Sequence, residues 1–568
     1  MAQSDQFNGR LGLIFASIGA AIGTGNIWRF PRMVGANGGG TFLIPWLIFL
    51  FAWSIPLVIA EFAMGKRSRT GTIGTFRIFA GKKFAWMGLW TAWISTAIGF
   101  YYAIVAGWTI KYFQLGITGG LTGEGVDTTE VWNSFLQNPG QVIFFQFIVI
   151  CLTLAAIWKG AKAIEKVNVV LMISLFVLLF MSLFLSLWMD FEDGTLDGAT
   201  FMFSVDPDLL FEPEIWINAL SQSAWSCSAG MGMAITYAVY MRKDEDTVLN
   251  AFTMGLANNS ISIIAGLAVL SSIFAVSSDP LATVTGGSSA ITFLALPEVF
   301  AQAPGGSIGP FVMMAGFFLA LSFAALTSMI STVELCVRNF VDHGYNRERS
   351  VAITGLALFI FGLPSAVMWI KLDSAGVAFP EFLEVQDHIW GYGLMFSGLF
   401  IAFTIWKYGY VRWKAQVAAG EAPGGFKGYL GVGVSAFRDD FINTGDNDIV
   451  VGRWWDILLY IAFPILFTVL MVSYFGDMIA NTDDVWNPGN PKGLGIILAF
   501  WGVVAISFLF LNKYLIQRPI FRNIPEGAEV DISTLPGGDD DRVFELGELV
   551  PGFEHLASED AVFEAEVV

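Results

Sequence analysis

Residues 19–31 place polar groups inside an apolar stretch that begins at Leu11. Three glycines within seven residues loosen any helix here, and Asn26 and Arg29 bring an amide and a charge to membrane depth. Backbone freed in this way cannot face lipid, so it must line a cavity or lie within protein. Freed carbonyls suit a hard cation, and a helix N-terminus suits a carboxylate. The segment therefore predicts an intramembrane site for a cation and an acid group, the alternative being a flexible kink with an interfacial arginine.

A second interruption lies about two hundred residues further along the chain. Residues 226–232 read Ser-Cys-Ser-Ala-Gly-Met-Gly, which puts small polar residues and glycines in the middle of another apolar stretch. Two interrupted helices at matching places in successive halves of a chain indicate a binding site at the membrane midplane. Identity between the two halves is not visible in the sequence.

The elements that must position these residues are membrane-spanning helices. The 568 residues are 55% hydrophobic with a mean hydropathy of +0.63, which excludes a soluble multidomain protein. Apolar stretches of about twenty residues are long enough to cross a bilayer. Twelve spans are predicted, near residues 11–36, 41–64, 85–113, 141–158, 166–189, 214–240, 247–277, 309–340, 350–370, 385–407, 454–476 and 493–515.

The distribution of Lys and Arg predicts the orientation. The loops at 114–140, 190–213 and 278–308 contain no Lys or Arg, whereas the alternate connections are basic. By the positive-inside rule both termini are expected in the cytoplasm. No signal peptide is expected, because the first span carries the predicted site. Nucleic acid is an improbable partner for a chain with a formal net charge of −18.

The opening segment resembles the first two helices of the neurotransmitter:sodium symporters. Further matching motifs follow in the family's order, at Gly38-Gly39-Gly40, Ile44-Pro45, Tyr101-Tyr102, 226–246, Asn258 and 324–328. The resemblance implies an all-α membrane protein with twelve transmembrane helices, built from inverted five-helix repeats in which helices one and six are interrupted. It divides the chain into a ten-helix transport core (1–408), a cytoplasmic connection with helices eleven and twelve (409–516) and an acidic cytoplasmic tail (517–568).

The same resemblance implies two sodium sites. The first would use the Ala21 carbonyl with the side chains of Asn26, Ser226 and Asn258, completed by the substrate carboxylate. The second would use the carbonyls of Gly19, Ile22 and Ala324 with the hydroxyls of Thr327 and Ser328. Any one of these hydroxyls, taken alone, could instead bond back to its own helix.

The implied substrate site surrounds Gly23, where monoamine carriers of the family have an aspartate. The amides of Thr24 and Gly25 and the Tyr102 hydroxyl would receive a substrate carboxylate. An amine would meet the carbonyls near Ala21 and Trp225 and the Ser228 hydroxyl. The side-chain pocket would comprise Ile98, Trp225, Met231, Ser328 and Thr332. Substrate size stays open, because methionine at 231 adds adaptable room while tryptophan at 225 removes it.

Gates and an anion site complete the implied machinery. Arg29 and Asp387 resemble the outer gate pair. Asp342 resembles the acidic half of an inner gate, but residues 4–7 lack the usual Arg and Trp, so other contacts are expected there. Glu61 is expected to brace the interrupted sixth helix. A chloride shell is implied at Trp46, Gln222, Ser226, Asn258 and Ser262.

The sequence therefore predicts a sodium-coupled and chloride-dependent symporter of the plasma membrane, not an enzyme. It would import a small zwitterion by alternating access, with a neutral amino acid as the leading substrate. The alternatives are an organic osmolyte such as taurine, a betaine or a γ-amino acid, a transporter-like sensor, and a channel. The oligomeric state is left open.

Overall fold

The computed structural model describes residue 7 and residues 10–122, 126–191, 194–242, 245–285, 288–373, 375–444 and 448–516. The predicted acidic tail, 517–568, lies outside these residues. The spanning helices and the halves of the two broken spans are labelled here in chain order. They are α1 Arg10–Ala21, α2 Gly25–Ala36, α3 Gly40–Ser68, α4 Lys82–Thr118, α5 Pro139–Ile157, α6 Ala161–Asp190, α7 Pro213–Ser226, α8 Met233–Ala238, α9 Thr247–Val276, α10 Ile308–Asp342, α11 Arg347–Val367, α12 Glu381–Ala418, α13 Arg453–Asn481 and α14 Leu494–Ile516.

Shorter elements connect these helices. The short helices are Thr72–Ala80, Thr128–Leu136, Asp197–Phe203, Leu209–Phe211, Pro280–Thr285, Ile291–Phe300, Gly425–Gly428, Tyr429–Gly433 and Arg438–Ile442. Strands β1 (Ile370–Leu372) and β2 (Ala378–Pro380) form an antiparallel hairpin, with Lys371 opposite Phe379.

The predicted all-α membrane architecture is confirmed. Ten helices of the described chain are long and apolar enough to cross a bilayer, and α1 with α2 forms an eleventh span bent by 52°. The predicted sixth span is two helices, α7 and α8, each too short to cross alone. The predicted tenth span corresponds to α12, which continues beyond the predicted end near 407 to Ala418.

Both predicted interruptions are present. Three residues, 22–24, separate α1 from α2, and residues 227–232 separate α7 from α8. In the second break Ser228, Gly230 and Gly232 all have positive φ values, which end one helix before the next begins. A Cβ on Gly230 would lie 2.9 Å from the Cα of Gly398 on α12, so the glycine also permits this close approach.

The broken helices lie inside a cage of long helices. α10 packs along α4 and α6, α1 packs against α6, α9 and α10, and α8 packs against α3. α13 and α14 lie at the edge of this core, and their 18-residue apolar windows are only 22% and 28% buried. The breaks are therefore held within protein, as unpaired backbone at membrane depth requires.

Candidate ion and substrate site

One cavity of about 380 Å³ lies between the two broken helices. Its floor is formed by the breaks themselves, and its walls come from α4, α10 and α12. The described residues that line it are Ala20, Ala21, Gly23, Thr24, Gly25, Asn26, Arg29, Ile98, Tyr101, Tyr102, Gln222, Trp225, Ser226, Ser228, Met231, Met233, Ser328, Thr332, Asp387, His388, Tyr392 and Tyr474.

The residues predicted for the first sodium site converge at one end of the break. The Asn258 side-chain amide lies 3.0 Å from the Ser226 carbonyl oxygen and 3.3 Å from the Ala21 carbonyl oxygen. The Asn26 side-chain amide lies 2.8 Å from the same group. With its N–H turned toward the two carbonyls Asn258 donates to both, and with its oxygen turned toward them the three oxygens can share a cation. This arrangement suits a sodium ion, and the amide rotation offers an ion-free alternative.

The residues predicted for the second sodium site are also together. The Thr327 and Ser328 hydroxyls lie 3.3 and 3.1 Å from the Ile22 carbonyl oxygen, and Thr327 donates to Ala324 at 3.0 Å. A Cβ on Gly19 would lie 3.3 Å from the Thr327 Cβ, which places Gly19 beside these hydroxyls. The first break and α10 therefore present a set of oxygens of the kind that replaces the hydration shell of sodium.

The predicted carboxylate end is built from the start of α2 and from α4. The Thr24 backbone N–H and hydroxyl lie 3.1 and 3.2 Å from the Tyr102 hydroxyl oxygen. The Gly25 Cα faces open space, with no atom within 4 Å of a Cβ built on it. These donors line the cavity at a helix N-terminus, where an anion is stabilised.

The predicted amine end is close to its expected place. The Ser228 hydroxyl donates to the Ala20 carbonyl at 3.1 Å, one residue before the predicted Ala21. Across the break, Glu61 on α3 accepts from the Gly230 N–H at 2.6 Å. Glu61 therefore braces the broken helix, in agreement with the sequence interpretation.

The side-chain pocket is more apolar than the sequence indicates. The Thr332 hydroxyl donates to the Ser328 carbonyl of its own helix at 3.0 Å, so its proton is already used. Ile98, Met231 and Trp225 complete the predicted wall. Met233, which the sequence interpretation missed, also lines the cavity, and no helical spacing could have placed it because it follows non-helical backbone.

Comparison with known proteins decides the family. The profile of the sodium:neurotransmitter symporter family matches residues 4–137 and 134–428. An uncharacterised sodium-dependent transporter of Bacillus subtilis, YhdH, is 30% identical over 415 residues, covering 71% of this chain and 88% of the relative. Another, MJ1319 of Methanocaldococcus jannaschii, is 28% identical over 540 residues, covering 91% and 98%.

The chain belongs to the sodium:neurotransmitter symporter family. The crystal structure of MhsT in complex with L-phenylalanine superimposes with a TM-score of 0.67 at 30% identity, covering 83% of this chain and all of that one. The chain is therefore a sodium-dependent membrane transporter, and the predicted family, fold and non-enzymatic class are confirmed.

The predicted outer gate residues of this symporter line the cavity but have separate partners. Arg29 donates to the Ser221 hydroxyl at 3.0 Å. Asp387 accepts from the Tyr101 hydroxyl at 2.7 Å. Tyr392 and Tyr474 line the cavity together with both side chains.

The opposite end of the symporter is closed. Phe7 is 3% exposed and packs edge-on against Tyr237 and Tyr240, at ring-centroid distances of 6.0 and 5.9 Å. Arg69 donates to the Val239 carbonyl at 3.2 Å, and burial lowers the pKa of its guanidinium to about 10. Since this remains well above neutral pH, Arg69 stays charged while it holds the backbone after α8.

Asp342, the predicted acid of the inner gate, finds its cation on its own helix. Arg338 lies one turn before it and forms an ion pair with its carboxylate, and both side chains are buried. The Gly71 N–H also donates to Asp342. The Gly71 contact joins the end of α10 to the segment that follows α3.

Of the predicted chloride residues, Ser226, Asn258 and Ser262 contact one another or Asn26 at the first ion site. Ser262 accepts from the Asn26 amide at 2.8 Å and donates to the Asn258 carbonyl at 3.1 Å. The buried Trp46 indole N–H and the Gln222 side-chain oxygen have no hydrogen-bond partner among the described residues. A buried donor left unpaired is costly, so the Trp46 N–H is a candidate for binding an anion.

Proposed function

We propose that this transporter couples two sodium ions to the import of a neutral amino acid with an apolar side chain. The observation that carries the proposal is the single cavity in which carboxylate-binding donors at Thr24, Gly25 and Tyr102 adjoin the oxygens around Asn258. A bound carboxylate there would belong to the first sodium shell as well. Ion and substrate occupancy would then be linked.

The choice of a neutral amino acid rests on the charges that line the cavity. Of its described lining residues only Arg29 and Asp387 carry a formal charge, and both lie at the gate end. The pocket beside Ile98, Met231 and Met233 presents apolar atoms, and the Thr332 hydroxyl is occupied. A charged side chain would lie there without a partner, which is costly. The L-phenylalanine held by MhsT agrees with this class.

Osmolytes such as taurine, a betaine or a γ-amino acid are the second candidate, because Gly23 places no negative charge beside their acid groups either. A sensor or a channel is disfavoured, because neither requires both sets of sodium ligands to stay assembled. The expected location is the plasma membrane, with both termini in the cytoplasm.

Uptake into proteoliposomes under an imposed sodium gradient tests the proposal. Neutral α-amino acids with apolar side chains should accumulate only when sodium is higher outside, because the sodium gradient drives the coupled step. An inside-negative potential should add about 2.3 kcal/mol per 100 mV for each charge that crosses. Accumulation of an osmolyte instead would select the second candidate. Sodium-independent flux would indicate a channel, and binding without uptake would indicate a sensor.

We also propose that chloride supports this transport. Two sodium ions and a zwitterion bring a net positive charge into the site, and of the described residues no acid lies between Asp246 and the loop residue Asp279. Ser262 is one helical turn after Asn258, so both side chains face the same side of α9. The unpaired Trp46 N–H supplies a donor of the kind that an anion needs.

Replacing chloride by gluconate, with sodium constant, should reduce sodium-driven uptake several-fold. A Ser262→Glu variant should transport equally in both anions, because its carboxylate supplies the missing negative charge. Ser262→Gln is the matched control and should stay chloride-dependent. Equal uptake by the natural protein in both anions would refute the proposal.

A further inference from the structure

The cationic half of the predicted outer gate is held by a residue outside the ten-helix core. Arg29 and the hydroxyl of Tyr474 both donate to one oxygen, the Ser221 hydroxyl. A serine hydroxyl has two acceptor lone pairs, so both donors are accommodated. Tyr474 belongs to α13, while Ser221 belongs to α7 and is 2% exposed. Arg29 is thereby held against α7, the first half of the second broken helix.

The anionic half is held separately. The Tyr101 hydroxyl on α4 donates to Asp387 at 2.7 Å, and Tyr101 is 5% exposed. Between the two halves the Tyr392 ring lies 4.8 Å from the Tyr474 ring and stacks on His388 at 5.9 Å. Arg29 and Asp387, which line the same cavity, therefore each bond to a neutral hydroxyl, from Ser221 and Tyr101 respectively.

We propose that Tyr474 and Tyr101 are positioning residues that hold the gate open. Closure exchanges two hydrogen bonds to neutral hydroxyls for one contact between Arg29 and Asp387. Tyr101→Phe removes the bond that Asp387 gives up on closure, and Tyr474→Phe removes the bond that fixes the Ser221 hydroxyl beside Arg29, so each shifts the equilibrium toward closure. This proposal rests on the gate role of Arg29 and Asp387.

Tyr474 acts on Arg29 through Ser221. A serine within a helix competes to bond to the carbonyl one turn earlier. The Tyr474 hydroxyl and Arg29 both donate to the Ser221 oxygen, so Tyr474 helps to fix the side-chain rotamer in which Arg29 reaches it. A Ser221→Ala variant should therefore favour closure at least as strongly as Tyr474→Phe.

Distances across the entrance of the cavity measure the equilibrium between the open and the closed gate. Spin labels are placed at Phe211→Cys, just before α7, and at Leu372→Cys, in the hairpin that precedes α12, since both positions are exposed. Cys151→Ser removes the exposed native thiol. Double electron–electron resonance in sodium, without substrate, should show that Tyr101→Phe raises the ratio of short to long distances by up to about tenfold, as expected for a hydrogen bond to a charged group. Tyr474→Phe should raise the ratio by about threefold, since its hydroxyl bonds to the neutral Ser221 hydroxyl.

Tyr392→Phe is the matched control, because its ring lies between the two halves but its hydroxyl bonds to no described residue. Its distance distribution should match that of the parent protein. An unchanged ratio in both the Tyr474→Phe and Tyr101→Phe variants, or an equal shift in the control, would overturn the proposal.

A second measurement separates a gate role from simple packing. With Asp387→Asn in place, Arg29 has no anionic partner to gain, so adding Tyr474→Phe should change the distance ratio by less than about twofold. A shift that persists in this background would mean that Tyr474 acts by packing, and the proposal would be wrong. The distance measurement uses no substrate. It therefore tests the gate proposal even if the uptake experiment shows that the substrate is not a neutral amino acid.

Discussion

A Gly23→Asp variant should lose uptake of every substrate that carries a carboxylate, by at least about a hundredfold. A Cβ on Gly23 would lie 2.6 Å from the Ser328 hydroxyl and 3.1 Å from the Tyr102 hydroxyl. The new carboxylate would therefore enter the place proposed for the acid group of the substrate. Two like charges at this distance cost several kcal/mol.

The measurement is substrate binding and sodium-driven uptake, with Gly23→Asn as the control of equal shape and no charge. Because the space is tight, Gly23→Asn should also weaken binding, but by less than the aspartate does. The natural protein should fail to bind decarboxylated analogues. Undiminished uptake by Gly23→Asp, or preference of the natural protein for amines, would show that the acid group lies elsewhere.

The interruptions could be predicted because a membrane tolerates glycines and polar residues within an apolar stretch only where protein surrounds the freed backbone. The structure adds what each break needs from its neighbours. Gly230 must approach Gly398 on another helix, and its N–H must find the Glu61 carboxylate. Sequence spacing identified the broken segments, whereas these partners come from helices that are distant in the chain.

The gate illustrates the limit of sequence reasoning. Arg29 and Asp387 could be predicted as a pair through the resemblance to the family's outer gate, and Arg29 also as a charge at membrane depth. Their separate partners could not be predicted, since Ser221 and Tyr474 have no distinctive type or spacing. The choice between partners depends on packing that brings α13 against α7, and no local pattern encodes it.

The inner end offered a signal that sequence analysis missed. Arg338 precedes Asp342 by four residues, and pairs at this spacing on a helix are neighbours. This spacing identifies Arg338 as the ion-pair partner of Asp342, in place of the arginine that the N-terminal segment lacks. The packing of Phe7 against Tyr237 and Tyr240 required the folded structure, because it joins two ends of broken helices.

An Asn26→Ala variant should weaken sodium binding and substrate binding together, each by roughly ten- to a hundredfold. Asn26 joins the first break to α9, since its oxygen accepts from the Gly23 N–H at 2.9 Å while its amide group donates to the Ser262 hydroxyl at 2.8 Å and the Asn258 backbone carbonyl at 3.2 Å. Several bonds of a buried amide are lost at once, which accounts for the size of the effect.

The decisive measurement is a pair of titrations, of sodium at fixed substrate and of substrate at fixed sodium. If one ion is shared between Asn26 and the substrate carboxylate, sodium must raise substrate affinity by the same factor as substrate raises sodium affinity. In Asn26→Ala both factors should fall toward one. Asn37→Ala is the control, because Asn37 is a buried asparagine at the far end of the same broken helix and bonds to Met33 and Asn218 instead. Its loss should lower thermal stability and leave the linkage intact, whereas unchanged linkage in Asn26→Ala would remove Asn26 from the first sodium site.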